Sequence, residues 1–378
     1  MKFVLQTIDR MKLPVLDAAG QPVDIGRLHG ATYAEQIGRF AAERVERAGQ
    51  ALWVGADRSR ADVIALAEDC LAAHEAYSPR LTAELRAMAE AAELSPAEML
   101  IVSGFTDFVD TACTAFSGSG AAPCDVDNCT AMIVPAARSA TGTPLFAQTW
   151  DMHETATEHV FVLRGVPDDG PAFTTFTSRG CLGMIGMNEA GITIGINNLT
   201  GNDGRIGVTW NFVVREVLAQ TDFAAAEARL AEADLAGAHN YLLVGPDGQG
   251  MNVEAMSTQR ATTRLDNDVI VHTNHCLAAE TRAVERPRLP EAQAHSEKRL
   301  ARAEAMLAGE EAIDVERLAT VTRDTQAICY PPTPITKMTT CGAVIADPAA
   351  RRLWALRGLP SEQSYVAFDV AGAAVASE

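Results

Sequence analysis

Basic residues, long apolar runs and paired cysteines are all scarce in this 378-residue chain. Lysine and arginine number 31 against 49 aspartates and glutamates, a formal net charge of −18. Nucleic acid and anionic membrane both demand a basic face, so neither is expected as a partner. No stretch approaches the roughly 18 apolar residues that a membrane-crossing helix needs. The first residues, Met1 to Asp9, hold no extended apolar segment and lead straight into Arg10. No secretory signal is therefore expected, and a cytoplasmic enzyme is the default. The eight cysteines form no C-x-x-C pair and no His/Cys cluster at zinc spacing. Gly201-Asn-Asp-Gly204 lacks the lysine and the spacing of a phosphate loop. Neither a metal nor a cofactor is expected.

What is present is a globule with ample core: 48% hydrophobic and 21% charged residues. The length allows two or three units or one large α+β domain. Texture changes near residue 128. Before it, apolar residues at three- and four-residue spacing predict helices over 33–53, 61–76 and 79–92. Ser95-Pro-Ala-Glu98 predicts another helix start, with serine as cap and the acid at the third helical position. The stretch 113–127, rich in Ser, Gly, Ala and Pro, reads as an exposed loop. After it come predicted strands at 129–135, 145–151, 159–166, 172–178, 182–187 and 191–198. Helices are expected at 209–218 and 222–235, and strands at 240–244, 251–254 and 269–273. Two further helices, 288–308 and 314–324, precede a closing hairpin, 341–347 with 353–357. Runs of strands, then helices, then strands predict an α+β fold of two antiparallel sheets with helices outside.

One tripeptide stands out. Asn128-Cys129-Thr130 opens a β-type run directly after the turn-rich stretch, and a second run brings Asp151 about twenty residues later. A cysteine at the start of a strand, with a hairpin partner carrying an acid, suits a chain that cuts itself before the cysteine. The freed α-amine, with a pKa of about 7.7–8.0, can then take the proton of a thiol at about 8.5.

Asn128-Cys-Thr130, Gln148-Thr-Trp-Asp151, Val271-His-Thr-Asn-His275 and Ile328-Cys-Tyr-Pro331, in that order, resemble the acyl-coenzyme A:6-aminopenicillanic acid acyltransferase family. These are autoproteolytic cysteine enzymes of the N-terminal nucleophile class. Gly30 with Tyr33, Asn240-Tyr-Leu ending in Glu254, and Gly358-Leu-Pro360 extend the resemblance over nearly the whole chain. It implies an αββα sandwich with a helical N-terminal segment. It also implies cleavage between Asn128 and Cys129, into fragments 1–128 and 129–378 that stay associated as one compact domain. The implied roles are nucleophile for Cys129, acid for Asp151 and oxyanion donor for Asn274. The chain departs from the family in having Asn128 where glycine is common, and Arg323-Asp-Thr325 where Asp-His is common.

Thr130, Trp150 and His153 adjoin these residues and are the candidate substrate contacts. Each has a plainer reading beside it: Cys129 as a strand cysteine, Asp151 as a strand-end cap, Asn274 as a turn-former, Trp150 as core. His272 and His275, three apart on a strand, would point to opposite faces and are not expected to share a metal. Two functions follow from the resemblance. One is hydrolysis of a small linear amide; the other is acyl transfer from coenzyme A to an amine. The lack of a basic cluster for a phosphorylated donor favours the hydrolase. A binding protein that keeps the fold is the third reading, and homo-oligomerisation stays open.

Overall fold

The computed structural model describes residues 12–117, 128–332 and 337–370. Its first part is one strand and seven helices: β1 (Val15–Gly20), α1 (Pro22–Thr32), α2 (Ala34–Ala48), α3 (Ala51–Val54), α4 (Arg60–Tyr77), α5 (Pro79–Ala91), α6 (Pro96–Ser103) and α7 (Phe105–Ser117). Strands dominate thereafter. These are β2 (Asn128–Val134), β3 (Leu145–His153), β4 (Val160–Pro167), β5 (Phe173–Ser178), β6 (Ile185–Asn188) and β7 (Thr193–Asn198). Helices α8 (Trp210–Val217) and α9 (Phe223–Glu232) lead to β8 (His239–Val244), β9 (Gly250–Ala255), β10 (Arg260–Arg264) and β11 (Ile270–His272). The chain closes with α10 (Ala279–Arg282), α11 (Pro290–Leu307), α12 (Val315–Thr322), β12 (Met338–Asp347), β13 (Arg352–Arg357) and β14 (Val366–Asp369).

The strands form two sheets, β1-β4-β5-β6-β7-β8-β9-β10 and β11-β2-β3-β12-β13-β14. They face each other so closely that two positions tolerate only glycine. A Cβ on Gly195 would lie 2.2 Å from the ring of Phe146, and one on Gly342 would lie 2.5 Å from that of Phe176. Gln148 crosses the same gap and bonds both main-chain groups of Ile196, accepting from its N–H at 3.0 Å. Side chains alternate along β2 and β3. Cys129, Ala131, Ile133, Phe146, Trp150 and Met152 join the main core. Met132, Val134, Leu145 and Ala147 join a second core under α11 and α12. The layers are therefore helix, sheet, sheet, helix, as the αββα expectation has it.

Several elements depart from the sequence expectation. The sheets are antiparallel except at one edge, where β1 pairs with β4 in parallel. β1, Val-Leu-Asp-Ala-Ala-Gly, carries little intrinsic strand preference and exists by addition to β4. The helix expected over 33–53 breaks at Gly49, where a Cβ would sit 2.9 Å from the carbonyl of Arg58. The loop expected from Cys113 is helical through Ser117, because Phe105, Phe108, Val109, Ala112 and Cys113 form a buried stripe that overrides composition. Residues 118–127, the remainder of that loop, lie outside the described residues. β10 and β14, edge strands with exposed side chains, carry no alternation to read. Ser95 caps α6 in a complete capping box with Glu98, as its sequence indicates. Among the described residues no single helix is long and apolar enough to cross a membrane.

Candidate active site

Cys129 is the second residue of β2, between β11 and β3, and is buried. Its cross-strand partner on β3 is Trp150, and Asn128 pairs with Asp151. Thiol and indole therefore share the face between the sheets, whereas Thr130 and Asp151 lie on the face toward α11. Asp151 thus lies on the opposite face of the sheet from the Cys129 sulfur.

Asn274 follows β11 and reaches the same point. Its Oδ1 accepts the Cys129 N–H at 2.6 Å and the Arg299 Nη2 at 2.8 Å. Its Nδ2 donates to the Asn198 carbonyl at 2.9 Å. Two donors on one side and a carbonyl on the other fix which way this amide faces. Asn274 therefore meets Cys129 through its oxygen, while the Nδ2 expected to face an oxyanion is bonded to the Asn198 carbonyl. Its own main chain is pinned from both ends: its N–H bonds Ser296 Oγ at 2.9 Å, and its carbonyl accepts from Arg288 at 3.0 Å.

Arg299, which sequence reasoning missed, joins these groups. Fully buried on α11, it donates to the Cys129 carbonyl, to Thr130 Oγ1 at 3.0 Å, and to Asn274. A signal existed. Ala292, Ser296, Arg299, Ala303 and Leu307 are the buried positions of α11, and their three- and four-residue spacing marks one inward stripe. Ser296 and Arg299 are its polar members, and an arginine in such a stripe needs partners beneath it.

Asp151 is wholly buried, and burial pushes its carboxyl up to about 7, with Arg299 and the Thr340 hydroxyl pulling the other way. Neither carboxylate oxygen has a hydrogen-bond partner of full geometry among the described residues. The linkage sign follows. Below an unfolded value of roughly 3.9 the group is protonated in both states and contributes nothing. As pH rises toward about 7, only the unfolded chain releases the proton, so the native state loses stability. Asp151→Asn is thus expected to raise the midpoint of thermal unfolding at pH 8 but leave it little changed at pH 4. Equal gains at both pH values would contradict the assignment.

The three candidate substrate contacts separate. Thr130 is bonded to Arg299 on the α11 face. His153 is half-buried and bonds Thr155 at 2.9 Å; burial and the nearby Arg47 lower its pKa. Trp150 alone lines a cavity, about 30 Å³, whose walls include Phe40, Arg44, Phe105, Trp210 and His239. The guanidinium of Arg44 lies over the rings of Phe40 and Phe105, at 4.5 and 4.6 Å from their centroids. His272 and His275 diverge, one to Glu254 at 2.9 Å and the other to Ser296 at 2.8 Å. No group of three or more His, Cys, Asp or Glu that could hold a metal occurs among the described residues.

The two facing sheets between helix layers define an αββα sandwich, with a buried cysteine at the head of a central strand. Residues 138–361 match the family described as acyl-coenzyme A:6-aminopenicillanic acid acyl-transferase, and the chain belongs to that family. The match contains Trp150, Asp151, His153 and Asn274, while Cys129 precedes it. A relative from Emericella nidulans, the 40 kDa form of acyl-coenzyme A:6-aminopenicillanic-acid-acyltransferase, is 25% identical over 263 residues, 68% of each chain. Among solved structures, a mutant of conjugated bile acid hydrolase from Clostridium perfringens aligns with a TM-score of 0.45 at 11% identity. That alignment covers 64% of this chain and 92% of the other. Penicillin V acylase from Agrobacterium tumefaciens aligns at 0.35 and 10%, covering 60% and 82%. These named proteins are enzymes: an acyltransferase, a hydrolase and an acylase.

Proposed function

We propose that this chain is a self-processing cysteine amidohydrolase that cleaves a small linear amide through an acyl-enzyme. The observation that carries the reading is the hold on Cys129, its nitrogen on Asn274 Oδ1 at 2.6 Å and its carbonyl on buried Arg299. In maturation, the Cys129 sulfur attacks the carbonyl carbon of Asn128. The C–N bond breaks, its nitrogen takes up a proton, and water hydrolyses the thioester to free the thiol. The resulting fragments, 1–128 and 129–378, stay together through buried bonds such as Glu84–Arg215 and Asp107–His239.

In turnover, the α-amine of Cys129 takes the thiol proton and the sulfur attacks the substrate carbonyl. The amine product leaves with a proton from the α-ammonium, and water releases the acid. Asn274 Oδ1 acts on the amine, orienting its lone pair toward the thiol. Asp151 balances the ammonium charge from the opposite face. Trp150, on the same face of the hairpin as the Cys129 thiol, is placed to contact the acyl group. Thr130 serves through Arg299, and His153, held by Thr155 away from the cavity that Trp150 lines, takes no part in this reading.

Family membership favours a second reading, acyl transfer from coenzyme A to an amine. A chain with a net charge of −18 and no basic cluster holds a multiply phosphorylated donor poorly, so hydrolysis takes precedence. The test compares rates on an acyl-coenzyme A plus amine with rates on the matching amide in water. Faster amide hydrolysis is expected. Faster synthesis from the thioester, saturating with coenzyme A, would reverse the order.

A further inference from the structure

We infer that Glu254 and His272 are positioning residues whose ion pair, spanning the two sheets, sets where Asn274 holds the Cys129 nitrogen. The inference rests on the reading of Cys129 as nucleophile. Glu254 sits on β9 of the eight-stranded sheet and His272 on β11 of the six-stranded one. Their Oε1–Nε2 distance is 2.9 Å, with both side chains buried. The other ring nitrogen of His272 donates to the Thr273 carbonyl at 2.9 Å, so the ring must donate at both ends.

Glu254 gathers more than the imidazole. It accepts from the Leu277 N–H at 2.6 Å, the Ala278 N–H at 3.2 Å and the Thr281 hydroxyl. One carboxylate thereby ties both ends of the turn 272–278, and Asn274 rides on that turn. Asn274 in turn bonds Asn198 of the eight-stranded sheet and Cys129 of the six-stranded one. A shift of the turn by a fraction of an ångström therefore moves the acceptor away from the reacting nitrogen. Burial disfavours the charge on Glu254, but His272, Thr281 and Leu277 outweigh it and hold the carboxyl at about 2.

A merely structural account leaves the charge unexplained. An apolar pair of the same volume would often be as stable as a buried ion pair, or more so. What four directional bonds to one carboxylate add is a fixed location for the turn.

The test uses the self-processed wild-type protein with Glu254→Gln, His272→Gln and the double variant. Only folded, self-processed protein isolated by size exclusion is assayed, so unfolded protein does not count. Each single variant is expected to lower kcat about tenfold or more while KM stays within about twofold. The double variant should be no worse than the poorer single one, since both remove one device. Unchanged kcat, a loss confined to KM, or losses that multiply in the double variant would overturn the inference. If a glutamine variant does not fold, Glu254→Asp decides, since it keeps the charge but shortens the reach. Its kcat should fall with KM retained, and wild-type kcat would sink the idea. Cys129→Ala is the control on the parent reading. Turnover that survives it removes that reading, whereas turnover lost there but intact in Glu254→Gln removes only this inference.

Discussion

Cys129→Ala is expected to remain a single chain and to lose amide turnover by several orders of magnitude. Removing a nucleophile that works as a unit with its base costs on the order of a millionfold in a comparable covalent enzyme. Here one residue supplies both groups, so the same substitution removes the sulfur that cuts the chain and the only route to the free amine. Intact mass measures the first effect: fresh wild-type protein should give two fragments joining at 128/129, and the variant one. Cys129→Ser should retain a trace of cleavage with little turnover, because an alkoxide is far harder to form than a thiolate. Wild-type protein that is fully active while uncut would refute the amine mechanism.

Arg299→Met should produce the second large effect. It strips the shared donor from the Cys129 carbonyl, Thr130 Oγ1 and Asn274 Oδ1, all buried. Leaving a buried acceptor unpaired costs roughly 1–3 kcal/mol, and with three affected the sum is a large part of a domain's stability. The same change removes the cation that offsets the burial of Asp151, so that carboxyl should keep its proton to still higher pH. Arg299→Lys retains charge but lacks the planar fork that reaches three acceptors, and should fall between. Denaturant midpoints across the three proteins measure this. An Arg299→Met protein as stable as wild type, with normal self-cleavage, would show that the hub is dispensable.

Much of this architecture was legible in the sequence. The strands that pair in the centre of each sheet announce themselves through β-branched and apolar runs, and the capping box at Ser95 through chemistry that acts within four residues. Cys129, Asp151 and Asn274 were legible as site candidates because the hairpin and the Thr-Asn-His block have local signatures. Elements such as β1, β10 and β14 were not, since an edge strand is held by its neighbour's main chain and needs no pattern of its own. Helix α7 hid its last turn behind a loop-like composition.

The sequence by itself determined which residues could do chemistry, because side-chain type and local spacing are properties of the chain alone. Tertiary structure decided what each residue does with its atoms. It put the Asn274 oxygen on the Cys129 nitrogen, where Arg299, 170 residues after Cys129, also finds an acceptor. It set Asp151 and the Cys129 sulfur on opposite faces of one sheet, since cross-strand register fixes the side of every residue in a ladder. It also drew Glu254 from one sheet onto His272 of the other. Hydrogen bonds of this kind depend on distance and direction between segments far apart in sequence, and no local pattern encodes either.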